Sequence, residues 1–296
     1  MKTIIALTFL ISLNFVCGQT STNSIDYFGQ IPPDTIPKIF APGIICLVDR
    51  FEARGAFSPD GKMFYFTITN ENWTSQKILF CEYLNNKWTK PDTASFSRKF
   101  NNHEPFFSFD GQKLYFTSDR DKRTKENKRD LFFVNKLKDG WSEPFKLDTP
   151  INSNYTEYYF CQSKKGTIYF ASNRPGGNGA LDIYYLKPNH DKLNNIGNII
   201  NKGYTGDPCI APDESYIIFT SAQTIDADNV DLYISFNENG TWTEPVNMGS
   251  SINTKANEYA PFLSPDGKYF FFVRHDGIKG DIYWVNTSII NKFKTK

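Results

Sequence analysis

The sequence predicts an all-β fold: a five-bladed β-propeller of four-stranded antiparallel blades, closed by an N-terminal strand, with a six-bladed ring as the alternative. Three observations predict it. One turn motif recurs five times, strand-like segments follow each turn in the same order, and the spacing of the copies fits a ring.

The turns come first. Ser58-Pro59-Asp60-Gly61 precedes a strand-like Met63 to Thr67, and Ser108-Phe109-Asp110-Gly111 precedes Lys113 to Thr117. Ser163-Lys164-Lys165-Gly166, Ala211-Pro212-Asp213-Glu214 and Ser264-Pro265-Asp266-Gly267 lead in the same way into Thr167 to Ala171, Tyr216 to Thr220 and Tyr269 to Val273. Each reads as a hairpin. Pro presets φ, Asp caps the turn through its side chain, and Gly takes a φ that other residues resist.

Further strands follow in step. A third strand opens with Asp at Asp130, Asp182, Asp231 and Asp281, and Lys77 to Phe80 fills that slot in the first copy. A fourth begins near a turn and a Trp, as at Gly140-Trp141 and Gly240-Thr241-Trp242, with Trp88 in the same slot and Leu193 standing in for it. The copies then close on an Asn, at Asn101, Asn152, Asn201 and Asn253, giving four strands of ordinary length in each.

The turn positions 61, 111, 166, 214 and 267 lie 50, 55, 48 and 53 residues apart. Five blades need one more interval to close the ring, and the 278 residues from Gln19 onward hold it; six blades need two. The last copy ends after its third strand, so 38–45 is expected to supply the missing fourth strand and remove two unpaired edges. The expected organisation is a signal peptide over 1–18, an N-terminal lead over 19–37 and one propeller domain over 38–296.

Lys2 supplies a positive start and Thr3 to Val16 an apolar run too short to span a bilayer comfortably, which is the pattern of a secretory signal peptide cleaved after Gly18. A lipid anchor on Cys17 is the alternative, although bulky Phe15 and Val16 stand where a small residue is preferred. The expected location is periplasmic or secreted, with no membrane insertion. Cys46, Cys81, Cys161 and Cys209 show no CxxC spacing and are expected to be buried free thiols. Aromatics make up 16% of the chain and charged residues 22%, which fits a large folded core. Without the first 18 residues the formal charge is zero, which argues against bulk attraction to nucleic acid.

The Ser-Pro-Asp-Gly-Lys turns at 58–62 and 264–268, with strands ending Tyr-Phe-x-Ser-x-Arg at 115–120 and 169–174, resemble the Pro-Asp-Gly repeats of TolB-type, WD-repeat-like propellers of exported bacterial proteins. The resemblance covers nearly the whole mature chain and implies fold more than function. TolB itself carries an α/β domain ahead of a six-bladed propeller, for which this chain has no room, so its role in the Tol/Pal envelope system is not carried over. Small single-propeller proteins of Bacteroidetes-like bacteria are the nearer likeness.

Candidate chemistry lies on the innermost strands. Glu52, Glu157 and Glu258 stand nine residues before their turn positions, and Glu104 and Asp207 stand seven before. Both offsets have the same parity, so without a bulge all five carboxylates point to one side, near the channel mouth. Such a ring suits a cationic ligand, a metal ion, or the acid/base pair of a glycosidase. Hydrogen bonding to loop amides is the favoured reading, because repeats carry structural residues in every copy. His103 adjoins Glu104, and Arg120 and Arg174 occupy matching slots suited to an anionic ligand or to salt bridges with the third-strand acids. Asp226, Asp228 and Asp231 only hint at calcium, since Val230 breaks the loop pattern.

No Gly-x-Ser-x-Gly elbow, His-Glu-x-x-His or Walker motif occurs, and no cofactor or metal is expected. Two functions follow. The first is an exported non-catalytic scaffold binding a protein, peptide or glycan at its funnel face, with cell-envelope components as candidate partners. The second is a glycoside hydrolase or lyase using Glu104, Glu157, Asp207 and Glu258.

Overall fold

The computed structural model describes residues 25–121, 128–222, 229–277 and 279–294. The expected signal peptide over 1–18, with Cys17, and Asp226 and Asp228 lie outside the described residues.

The described chain is a β-propeller whose antiparallel pairings group into five units, the third and fourth joined by a short parallel pairing of Gly179 and Leu181 with Gly203 and Tyr204. The inner strands are Phe51–Phe57, Asn102–Phe107, Glu157–Gln162, Gly203–Ile210 and Asn257–Leu263. Each pairs with a second strand, respectively Met63–Thr69, Lys113–Ser118, Ile168–Ser172, Tyr216–Ala222 and Tyr269–His275. The third strands are Gln76–Leu84, Asp130–Leu137, Gly179–Leu186, Asp231–Glu238 and Gly280–Asn286. Each inner strand touches the next, and the fifth touches the first, so they ring a central channel.

The turns form as their residues dictate. At the first, the Ser58 hydroxyl oxygen accepts from the Met63 N–H at 2.9 Å and Asp60 accepts from the Lys62 N–H at 3.1 Å, with Gly61 at φ +68°. Ser108 with Asp110 and Ser264 with Asp266 repeat the arrangement. Glu214 replaces the glycine of the fourth turn and still adopts φ +65°. Its carboxylate compensates by accepting from the Ser163 hydroxyl at 2.8 Å and Lys165 at 3.3 Å in the preceding unit.

The fourth strands begin at the Trp positions as the sequence pattern predicts, with Lys87–Trp88, Gly140–Trp141 and Thr241–Trp242 paired to their third strands, but each is interrupted before its second half. Asp92–Thr93, Phe145–Lys146, Asn194–Asn195 and Val246–Asn247 pair over only two residues each. Asparagine side chains continue the ladder. Asn152 accepts from the Leu131 N–H at 2.8 Å and donates to its carbonyl at 2.8 Å, and Asn201 and Asn253 do the same to Ile183 and Leu232. Each amide side chain thereby satisfies backbone groups that a full fourth strand would have paired. In the fifth unit Lys38–Ile39 pairs with Trp284 and Tyr283, as ring closure predicts.

Packing follows the repeat, with one buried apolar cluster at each junction between neighbouring units. Phe57, Phe64, Phe271 and Trp284 join the first unit to the fifth. Tyr65, Phe107 and Phe116 join the first to the second, where the Trp141 indole donates to the Tyr65 hydroxyl at 2.8 Å. Tyr115 stacks on Phe160 at 4.0 Å in the next junction, and two further clusters complete the circuit.

Both ends of the chain contribute more than the sequence pattern predicts. Tyr27 and Phe28, in the stretch read as a lead, are buried in the closing cluster, and Phe28 stacks on Trp88 at 4.3 Å. The Lys-rich tail begins with a 3-10 helix, Thr287–Phe293, that buries Ile289 and Ile290 at the fourth-to-fifth junction. Cys46, Cys81, Cys161 and Cys209 are free and buried. Among the described residues no helix is long and apolar enough to cross a membrane.

Candidate functional site at the upper mouth of the channel

Every inner strand carries a β-bulge at the same place. Its pairing shifts between Glu52 and Gly55, His103 and Phe106, Tyr158 and Cys161, Gly206 and Cys209, and Tyr259 and Phe262. Within the bulges Glu104, Tyr159, Asp207 and Ala260 have φ between +50° and +60°. Pro105, Pro208 and Pro261 follow three of them, where the missing N–H is tolerated because the ladder is already interrupted.

The bulge overturns the expectation that five carboxylates share one side, because the parity rule holds only along an unbroken strand. The acids nine residues before the turn are held by arginines. Arg50 donates to Glu52 at 2.6 Å, Arg174 to Glu157 at 3.0 Å and Arg274 to Glu258 at 2.7 Å. Glu157 also accepts from the Ser153 N–H and Glu258 from the Thr254 N–H, so these acids clamp the loop that enters the inner strand. Asn102 holds the same slot in the second unit and accepts from Arg120 at 2.9 Å.

Arg120 and Arg174 belong to these clamps. Arg120 lies over the rings of Phe116 and Phe132 and donates to the Phe96 carbonyl. Arg174 donates to the Pro150 and Ile151 carbonyls. The side chains that accept from them are Glu157 and the Ser172 hydroxyl in the third unit and Asn102 and the Ser118 hydroxyl in the second, rather than a third-strand Asp. The third-strand acids are engaged elsewhere: Asp130 with Lys146, Asp182 with the Asn178 N–H, Asp231 with Asn247 and Asp281 with Lys279.

Of the two acids inside the bulges, Asp207 reaches a cavity at the channel mouth, whereas Glu104 is buried behind the lining. The cavity, of about 540 Å³, opens at the end where the inner strands begin, the upper mouth. Trp73, Tyr158, Tyr159, Tyr204 and Tyr259 line it together with Asp207. Asp207 Oδ2 accepts from the Thr220 hydroxyl and from the Ala260 N–H of the next unit, both at 2.8 Å, while Oδ1 is buried without a partner. Burial and the neighbouring charge of Glu104 push its pKa up to about 6.

Glu104 is buried beside Asp207, with Oε2 unpartnered. Burial pushes its pKa up to about 7 against the pull of Arg54 and Arg129. The Tyr159, Tyr204 and Tyr259 hydroxyls are held well above their ordinary pKa, chiefly by burial and then by these carboxylates, so they remain protonated. His103 Nδ1 lies 3.7 Å from Glu104 Oε1. Burial and nearby Arg129 hold its pKa well below the ordinary value, so the imidazole is neutral at pH 7.

Sequence reasoning missed the aromatic lining of this cavity, Trp73, Tyr158, Tyr159, Tyr204 and Tyr259, and it missed Arg54. Arg54 is 1% exposed, and its Nε and Nη1 are buried without hydrogen-bond partners. Its charge pulls on Glu104 and Asp207 and also on the thiols of Cys161 and Cys209. The signal was present: Arg54, Glu104, Tyr159, Asp207 and Ala260 all stand seven residues before the turn position.

Among the described residues one group has ligand atoms close enough for a metal, Cys46 with Glu52 and Asp281, all within 4.8 Å of one another. Arg50 and Lys279 already neutralise the two carboxylates. Burial raises the Cys46 thiol well above its ordinary pKa, and its sulfur accepts from the Ile282 N–H. The donor set therefore does not fit a metal well.

No protein-family model matches the sequence. No curated protein matches it either. The fold is similar to solved propeller structures at low identity. Against a putative TolB from Agrobacterium tumefaciens the TM-score is 0.54 at 15% identity, covering 82% of this chain and 79% of that one. An alpha-L-arabinofuranosidase from Lactobacillus brevis gives 0.52 at 15%, covering 80% and 88%. TolB from Acinetobacter baumannii gives 0.48 at 12% over 79% of this chain, which spans only 54% of that protein.

Proposed function

We propose that the protein is an exported, five-bladed, non-catalytic propeller that binds a glycan at the upper mouth. The observation that carries this reading is the upper cavity itself, with five aromatic side chains around a carboxylate that has a free buried oxygen. Aromatic faces take the apolar face of a sugar ring, and Asp207 Oδ1 supplies an acceptor for its hydroxyls. Export rests on the N-terminal signal, and envelope or extracellular glycans are the corresponding ligands.

One observation favours a second reading, a glycoside hydrolase or lyase using Glu104 and Asp207. Burial raises their pKa values to about 7 and about 6, within the range that acid/base chemistry near neutrality requires. Glu157 and Glu258 drop out of that set because arginines hold them.

A glycan array paired with a hydrolysis screen separates the two. The binding reading expects saturable capture by the wild type, weaker capture by Trp73→Ala, and no product. Product release that disappears in Glu104→Gln would replace it with the enzyme, and the absence of both capture and product would sink both.

A further inference from the structure

The other end of the channel is chemically unlike the first. Where the five inner-strand turns converge, a second cavity of about 280 Å³ is lined by Phe106, Phe107, Phe109 and Phe262, with Arg54 at its inner side. Lys164 is the other charged residue in the lining, which contains no carboxylate. Two cations and an apolar wall meet here.

Arg54 is the unusual member. A buried guanidinium normally has its N–H groups bonded, because an unsatisfied charged donor loses its hydration without replacement. Glu104 and Asp207 act on it through space, but neither carboxylate accepts from Nε or Nη1. The guanidinium therefore has donors unused, and Arg54 is part of the lining of the lower cavity.

We propose that the lower mouth binds a small organic monocarboxylate with an apolar tail, its carboxylate accepting from Arg54 and its tail lying against Phe106, Phe107 and Phe262. The planar fork of a guanidinium matches a carboxylate, and a single negative charge suits a site that already has two acids on its far side. A dianion such as phosphate would face Glu104 and Asp207 at greater cost. The volume sets the ligand size, since it falls just below the roughly 300–1,000 Å³ of sites for drug-sized molecules. Phe109, 41% exposed, stands at the entrance.

The charged and titratable groups around Arg54 are Glu104, Asp207, Cys161, Cys209 and, at the rim, Lys164. Burial keeps both thiols protonated. Protonation of Glu104 and Asp207 removes the internal counter-charges of Arg54, so a carboxylate from below binds more tightly as pH falls from 8 to 6.

Calorimetric titration with octanoate, and with neutral octanamide as control, tests the site in the full-length mature protein. The expected result is one-to-one octanoate binding at least tenfold tighter than octanamide, and tighter at pH 6 than at pH 8. Arg54→Met should abolish that preference, Asp207→Asn should retain it, and Lys164→Gln should weaken octanoate two- to threefold. Circular dichroism melts check that each variant folds. Should Arg54→Met not fold, Phe109→Glu carries the test, because a carboxylate at the entrance must weaken octanoate at least tenfold. Equal binding of octanoate and octanamide, wild-type octanoate affinity in Arg54→Met or Phe109→Glu, or no saturable binding by the wild type would overturn the proposal.

Discussion

The two mouths of the channel are made by the same five inner strands, yet the upper one is aromatic and carries both Asp207 and Arg129, while the lower one is apolar and cationic. The difference arises at one point on each strand. Nine residues before the turn, the side chain is a structural clamp, and Glu recurs there in three of five units with an arginine partner. Seven residues before the turn, inside the bulge, the residue is Arg54, Glu104, Tyr159, Asp207 or Ala260, different every time. A ring of repeats keeps what closes the ring and varies what faces the channel. Two positions on one strand, two residues apart, thus have opposite roles.

The largest expected effect breaks both mouths together. Deleting 38–45 removes the strand paired with Tyr283 and Trp284 and the buried Phe40 beside it. The domain should lose its cooperative melting transition; an unchanged melting curve would refute closure by this segment.

Next come changes at the two bulge acids; Glu52 at the clamp position is likewise pushed up to about 7, chiefly by burial, so it adds to the same pH dependence. Glu104 and Asp207 have folded-state pKa values of about 7 and about 6, well above the roughly 4 of a carboxylic side chain in an unfolded chain. The folded state therefore binds more protons than the unfolded state across that window. Stability contributed by these groups is full below about pH 4 and falls as pH rises toward 7, a tenfold change in acidity between the two states being worth about 1.4 kcal/mol. Glu104→Gln and Asp207→Asn should each flatten the fall in melting temperature between pH 4.5 and 7.5. A wild-type slope in both variants would mean that neither acid is held neutral by burial.

A smaller effect isolates the upper mouth. Trp73→Ala should weaken glycan capture about tenfold, or about 1.4 kcal/mol, and leave octanoate titration unchanged. Coupled loss at both ends would mean that the two cavities act as one. The smallest effect is expected at the lower rim. Asp110→Ala removes the acceptor for the Gln112 N–H and the Ser108 hydroxyl, and urea melts should show a loss of about 1 kcal/mol.

Much of the fold was legible in the turns. Ser58, Asp60 and Gly61 each have a local job that residue chemistry alone dictates, and their recurrence fixes the order of strands. Asn152, Asn201 and Asn253 were visible as closing residues, but their bonds to Leu131, Ile183 and Leu232 depend on a third strand about 20 residues away. The site was half legible. Glu104 and Asp207 stood out as acids, whereas period-two alternation could not separate them from Glu52, Glu157 and Glu258. Pro105, Pro208 and Pro261 inside strand-like runs were the available sign of an interrupted ladder. Arg54 was hidden because a lone arginine beside Glu52 reads as an ordinary surface pair, and only the bulge turns it inward.

The strand Lys38–Ile39 finds its partners about 245 positions further along the chain, in Tyr283 and Trp284. Loop closure over such a distance is slow, and the pairing must wait until everything between its two halves is in place. A chain that emerges N-terminus first must carry this strand unpaired until the final unit arrives. Ring closure therefore cannot occur before the C-terminal partner strand Gly280–Asn286 is available.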